Sequence, residues 1–204
     1  MSDASPGDGP PDSVLVARAL AGGDRHAFAA LVRRHQSSVR ALLRRLTNGD
    51  DALADDLSQE TFLQAWRKLD QFRGDARFGT WIYRIAYNIF LMHVRSRKNE
   101  ESLDDMEVQV STDADDGEAR INAEPGDPRP HAETVADMQL DLREAMAGLS
   151  PAERAALVQC YYLDRSHEEA AYALDCPVGT VKSHVLRAKQ KLKQSLQAWA
   201  PRYV

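Results

Sequence analysis

The stretch SHEEAAYALDCPVGTVKSHVLRAKQKLK, residues 166–193, carries the decisive pattern. Ser166 is a capping residue ahead of a short helical segment, His167–Leu174. Asp175-Cys176-Pro177 then makes a tight turn, and Val178 opens a last helix that is expected to run to Trp199. Two short helices joined by a three-residue turn, the second one basic, form the helix-turn-helix pattern. An ordinary helical hairpin would share the turn but not the charge. Between Thr180 and Lys193 stand Lys182, Arg187, Lys189, Lys191 and Lys193, with no acid among them.

Upstream, Leu140, Leu142, Ala145, Met146 and Leu149 mark one helix, and Leu149-Ser150-Pro151 signals the start of the next, Ala152 to Leu163. Residues 135–199 thus form a small helical domain. Before it lies a strip of different composition. Residues 99–141 hold 14 acids and two arginines, with few large apolar side chains and several Gly and Pro. Such a segment buries too little to fold alone and is expected to be a flexible linker over 99–134. It reads either as a solvated, self-repelling spacer or as an imitation of a nucleic-acid backbone for some basic channel.

Residues 13–98 are again helical throughout. Residues 13–22 form a short helix, and Asp24 then caps a long one on which Phe28, Leu31, Val32, His35, Val39, Leu42, Leu43 and Leu46 recur at the helical period. Asn48-Gly49 ends it. A further helix spans about Ala52 to Leu69, and after a break at Phe72-Arg73-Gly74-Asp75 another is expected from Thr80, as cap, to about Arg97. On that last helix Ile82, Ile85, Ala86, Ile89 and His93 share the core face; Thr80, Arg84, Tyr87, Asn88, Leu91 and Arg95 lie opposite.

Phe72, Arg73, Arg77, Phe78 and Trp81 lead into this helix. Aromatics interleaved with arginines suit single-stranded nucleic acid, since rings stack on unpaired bases while cations hold phosphates. Each stack is worth about 1–3 kcal/mol, against about 1.4 kcal/mol for a base-pair step, so a few can offset local melting. Core packing of Phe78 and Trp81 is the equally weighted alternative. In the preceding helix Asp55, Asp56 and Glu60 sit close together, favoured there either by the helix dipole or as a docking surface for a basic partner.

The whole chain of 204 residues carries 31 acids and 26 bases, a net charge of −5 that argues against a nucleic-acid partner only as an average. Residues 13–98 hold 15 bases and eight acids, and residues 142–204 nine bases and six acids. Two basic blocks flank an acidic strip. Cys160 and Cys176 make no disulfide framework and no zinc spacing, and read as structural thiols. The six histidines have no ligand spacing, so no metal or cofactor is expected. No nucleophile has a suitably spaced base, and no apolar run spans a membrane, so neither an enzyme nor membrane insertion is expected. Residues 1–12 have no signal-peptide character.

Three stretches together resemble a known family: AFAALVRRH (27–35), ADDLSQETFLQAWRKLDQFRGDARFGTWIYRIAYN (54–88) and LSPAERAALVQCYYLDRSHEEAAYALDCPVGTVKSHVLRAKQKL (149–192). They look like an extracytoplasmic-function (ECF) sigma factor of bacteria, a member of the sigma-70 family. The resemblance implies an all-α fold of two small helical domains, 13–98 (region 2) and 135–199 (region 4), joined by the acidic linker. It implies core RNA polymerase and promoter DNA as partners, an anti-sigma factor as inhibitor, and a bacterial cytoplasmic location.

Carried over by position, Asp55, Asp56, Leu57, Gln59, Glu60, Phe62 and Trp66 would bind the polymerase clamp helices. Phe72, Arg77, Trp81, Tyr83, Arg84, Tyr87 and Asn88 would open and read the −10 element, Asn88 at a flipped base. Thr180, Lys182, Ser183, His184, Leu186, Arg187 and Lys189 would face the −35 element, Lys189 at phosphates. His184 and Tyr87 stand where the family usually has Arg, and Ala170 where Ile is usual. The family's linker resembles a strand threaded through the polymerase RNA channel, which favours the backbone-mimic reading of the acids. Two other readings share parts of the pattern. A sigma-like decoy for an anti-sigma factor would not need the basic helix, and a stand-alone helix-turn-helix regulator would leave the first block without a purpose.

Overall fold

A computed structural model describes residues 9–108 and 135–196. Residues 1–8, the linker's 109–134 and the end of the last helix at Trp199 lie outside the described residues. Helix α1 (Asp12–Gly22) stops where Gly23 takes a left-handed conformation, φ 61°. Asp24 then caps α2 (Arg25–Leu46), its carboxylate accepting from the N–H groups of His26 and Ala27 at 2.9 and 3.1 Å. The apolar period of the sequence becomes the buried stripe Phe28, Leu31, Val39, Leu42, Leu43 and Leu46. Each fully buried Leu contributes about 1.5–3 kcal/mol of transfer free energy.

Asn48 and Gly49 turn the chain with φ of 58° and 89°, and Asp50 caps α3 (Asp51–Arg67) through Leu53 N–H at 3.0 Å. A short 3-10 turn, Leu69–Gln71, follows. Helix α4 (Phe78–Val108) begins two residues before the expected cap. Thr80 is buried inside the first turn, with its N–H donating to Arg77 O at 2.9 Å. The reason is aromatic packing. Phe78 sits 5.7, 5.6 and 5.3 Å from Phe72, Trp81 and His35, which draws the helix start toward the core. At its other end α4 runs past Arg97 into the acidic strip, where no Gly or Pro occurs before Gly117 to stop it.

The second domain comprises α5 (Val135–Ala147), α6 (Pro151–Leu157), a π-helical turn at Val158–Tyr162, α7 (His167–Leu174) and α8 (Val178–Ser195). The helix expected over 152–163 is therefore split, because Leu163 N–H donates back to Val158 O at 3.0 Å in a wider turn. Ser150 with Glu153, and Ser166 with Glu169, form reciprocal capping boxes. Asp175, φ 52°, ends α7, and Cys176 N–H closes the turn on Ala171 O at 3.1 Å.

No strand occurs among the described residues, and the two helical domains pack on one another. Ala155, Val158, Ala170, Ala171, Leu174 and Val181 belong to the same contiguous apolar cluster as Leu31, Leu43, Ile82 and Tyr87. Helix α7 lies along α4, and α6 meets α2.

Candidate nucleic-acid interface

Three surfaces carry the residues singled out above. On α3, Asp56, Gln59 and Leu63 are exposed and Glu60 is half-buried, at i, i+3, i+4 and i+7 spacing, so they form one stripe facing away from the core. Glu60 accepts from Gln64 Nε2 at 2.9 Å. Leu63, 53% exposed, joins this stripe although its sequence gave no reason to include it. Leu57 points inward, Phe62 is half-buried, and Trp66 rests against Phe28 with ring centroids 4.9 Å apart. Asp55 is turned to Arg40, which chelates both its oxygens, and Arg40 and Arg44 also reach Asp51. The Arg40 guanidinium, bonded to it, holds the Asp55 carboxyl below its ordinary range.

On α4 the expected outer face is only partly open. Asn88 is exposed and Arg77, just ahead of the helix, is too. Trp81, Tyr83 and Tyr87 are buried, at 8%, 6% and 5% exposure, and Phe72 is half-buried in the aromatic cluster with Phe78 and Trp81. Phe78 and Trp81 are packed together in the core in this structure. Tyr83 and Tyr87 are covered by the second domain. Arg165 stacks its guanidinium 4.5 Å from the centre of the Tyr83 ring, and burial, together with the nearby Cys176 thiol, pushes the Tyr87 phenol up to about 12. Arg84 is held by α7: its Nη2 lies 2.6 Å from Asp175 Oδ1, and its guanidinium 5.4 Å from the Tyr172 ring centre.

On α8, Lys182, Ser183, Leu186 and Arg187 are exposed along one side, while Thr180 and His184 are half-buried. Ser183 Oγ donates to Gly179 O at 2.9 Å, and Arg187 Nε donates to Ser183 O at 3.3 Å. Burial, then the neighbouring Arg187, lowers the His184 pKa, and the imidazole Nδ1 lies 3.2 Å from Arg187 Nη2. Val181, Val185 and Ala188 hold the opposite side of the helix in the core. Lys189 sits 4.6 Å over the Tyr161 ring, so this cation is turned toward its own domain. A helix of this kind, with an open basic side and an apolar Leu at 59% exposure, can offer donors to guanine and a methyl contact to thymine in a major groove.

Residues that the sequence reading passed over connect these surfaces. Arg154, buried, donates to Met146, Ala147 and Leu149 carbonyls and across to Leu46 O. Arg45 stacks on Tyr162 at 3.2 Å. Beside this contact a groove of about 820 Å³ opens between the domains, lined among others by Arg44, Arg45, Leu142, Tyr161, Tyr162 and Lys189. The only sequence signal for Arg154 was a lone Arg on the apolar side of a helix. Cys160 and Cys176 are half-buried free thiols whose pKa values burial raises. Among the described residues no cluster of three potential metal ligands exists, and no helix is long and apolar enough to cross a membrane.

An acidic stripe, an aromatic–Asn helix and a basic helix follow one another along the chain, the order expected of a bipartite promoter-recognition protein. Comparison with known proteins agrees. Residues 31–100 match the model of sigma-70 region 2, and residues 139–192 that of sigma-70 region 4. The chain is 32% identical over 187 residues to the RNA polymerase sigma-H factor of Pseudomonas aeruginosa, covering 91% of this chain and 94% of that one. It is 29% identical over 186 residues to the ECF RNA polymerase sigma-E factor of Haemophilus influenzae, covering 91% and 95%. Among solved structures it is similar to the sigma factor RpoE of Bartonella quintana in complex with the anti-sigma factor NepR, with TM-score 0.62, 27% identity, and 83% and 96% coverage. It is also similar to CnrH in complex with the cytosolic domain of CnrY, with TM-score 0.61, 25% identity, and 92% and 97% coverage. The chain belongs to the ECF sigma factors of the sigma-70 family, and is an alternative sigma factor rather than an enzyme.

Proposed function

We propose that residues 13–98 bind core RNA polymerase and the melted −10 element, and that residues 135–199 bind the duplex −35 element. Asp56, Gln59, Glu60 and the exposed Trp66, with Asp55, Leu57 and Phe62 shaping the helix behind them, make the face for the polymerase clamp. Asn88 receives a flipped base of the −10 strand, while Arg77 and Arg84 hold its phosphates and Phe72, Trp81, Tyr83 and Tyr87 supply the aromatic wall. Lys182, Ser183, Leu186 and Arg187 read base edges of the −35 element, at about 1–3 kcal/mol for a good bidentate pair. Thr180 and His184 position them, and Lys189 swings from the Tyr161 ring to reach a phosphate on the duplex.

The observation that carries this reading is the exposure of Asn88 on α4 together with the open basic side of α8 in one chain. An uncharged amide left in solvent beside a buried aromatic wall serves base recognition, not packing. The test is run-off transcription with core polymerase on promoters selected from a random library. Initiation no better than with core alone refutes the reading, and a gel shift without polymerase separates it from a stand-alone regulator.

An anti-sigma factor is part of the same reading. The similar structure from Bartonella quintana is a complex with the anti-sigma factor NepR, and that of CnrH is a complex with the cytosolic domain of CnrY. The interdomain groove, apolar at Leu142, Tyr161 and Tyr162 and basic at Arg44 and Arg45, suits an amphipathic helix with acidic flanks. A bacterial cytoplasmic location follows from work on chromosomal promoters.

A further inference from the structure

We propose that the cationic groove between the two domains is the docking site of the chain's own acidic segment, residues 113–127, with Ile121 seated against its tyrosines. The docking is independent of the promoter contacts. It also goes further than the inhibitor reading above, since a partner helix has to displace this segment to enter.

The groove stands out in a chain whose net charge is −5. Its volume is about 820 Å³, and Arg44, Arg45, Arg143 and Lys189 line it, with no acid among the described residues. Arg44 is shared with Asp51 at 3.0 Å, and Arg45 is stacked on Tyr162. Arg143 lies against Gly49, its Cζ 3.5 Å from where a Cβ there would stand, and Lys189 lies over Tyr161. Four cations around one opening repel one another, and anions seated among them relieve that repulsion. Leu142, Tyr161 and Tyr162 expose apolar surface in the same place. The fitting occupant is a polyanion that carries an apolar side chain.

Residues 113–127 meet both requirements. Asp113, Asp115, Asp116 and Glu118 put four carboxylates in six residues, and Glu124 and Asp127 add two more. Between Val110 and Val135 the single large aliphatic side chain is Ile121. Covalent connection delivers the segment to the groove. It leads into α5 at Val135, and Leu142, Arg143 and Met146 form one wall about 10 Å further along that helix. The fourteen residues from Ile121 to Val135 span up to about 46 Å, so the groove is within reach. A partner on so short a tether is present at an effective concentration of order millimolar, which turns contacts worth little singly into a populated complex.

Zero-length carbodiimide coupling of the full chain, mapped by mass spectrometry, tests the placement. Lys189 supplies the groove's amine and should couple to a carboxylate within 113–127 in preference to Lys68 or Lys182. Both of those are exposed, Lys68 at the far end of α3 and Lys182 two turns away on α8. A labelled peptide of residues 111–130, added at low ionic strength and read by anisotropy, tests the occupancy. The chain carrying Asp113→Asn, Asp115→Asn, Asp116→Asn and Glu118→Gln should bind it about 2- to 5-fold more tightly than the parent, because its groove is vacated. With Arg143→Ala and Lys189→Ala added to both chains that difference should vanish, whereas a general charge effect would persist. The proposal is overturned if Lys68 or Lys182 couples as often as Lys189, or if the difference survives loss of the two groove cations. Equal binding of the peptide to parent and neutralised chain also overturns it, and leaves the groove to a separate partner.

Discussion

Arg154 Nη1 donates a 2.7 Å hydrogen bond to the carbonyl oxygen of Leu46, joining the last turn of α2 to the second domain across 108 residues of chain. The same guanidinium donates to the carbonyls of Met146, Ala147 and Leu149, at and just beyond the end of α5. One buried cation therefore completes one helix terminus and ties it to another. Burial lowers its pKa, yet a guanidinium remains charged.

Arg154→Met should lower the unfolding free energy by about 2–4 kcal/mol, since it strands several buried carbonyls. Arg154→Lys keeps the charge but lacks the planar fork, and should recover less than half of the loss. Urea unfolding followed by circular dichroism measures both. A neutral result for Arg154→Met would remove this residue from the account of how the domains pack.

Glu153 supplies a pH dependence with a defined sign. Burial raises its carboxyl pKa, but the Lys191 ammonium at 2.8 Å and the Ser150 N–H and hydroxyl more than offset this, bringing it from 4.5 to about 2. A depressed pKa means that the folded form favours the carboxylate. Its contribution to stability is full above pH 4.5 and is lost as pH falls through about 2. Glu153→Gln should therefore narrow its stability gap from the parent as the solution is acidified across that window. A constant gap would contradict the assignment.

Asn88→Ala should abolish promoter opening while leaving polymerase affinity unchanged. Asn88 is exposed and sits on α4, away from the stripe on α3. Permanganate footprinting of the −10 region and co-elution with core polymerase separate the two effects. Asp56→Arg on α3 should give the reverse pattern, with polymerase affinity lost first.

Lys193→Ala should weaken −35 binding across all sequences and reduce the slope of log K against log salt by about 0.9, the signature of one phosphate contact. Arg187→Ala should instead relax sequence preference by about 1–3 kcal/mol at one base pair. Titrations at several salt concentrations, on matched and mismatched duplexes of the selected promoter, distinguish these outcomes. Equal effects of both variants on every duplex would argue against base reading by α8.

Much of the architecture was legible in local pattern. Asp24, Ser150 and Ser166 announce helix starts because a cap is a bond between neighbours in sequence, and the stripe from Phe28 to Leu46 announces a buried face because helical period is local as well. The helix-turn-helix at 167–195, with its bare basic side, is of this kind. The start of α4 was misplaced by two residues because Phe78 obeys an aromatic cluster assembled with Phe72 and His35, which no neighbour of Phe78 reveals. The split of the helix after Leu157 is likewise invisible to periodicity.

The sequence by itself determined the helices, their caps, the two basic blocks and the family to which the chain belongs, since each depends on residue types at short spacing. The tertiary structure alone decided which of the singled-out side chains meet solvent. Tyr87 and Arg84 lie on the expected outer face of α4 and Tyr83 beside it, yet the second domain covers them, with partners Arg165, Tyr172 and Asp175 brought from more than eighty residues away. Helical period states which residues share a face. Only the packing of the second domain, through long-range apolar burial and a few buried or half-buried cations, states what that face touches.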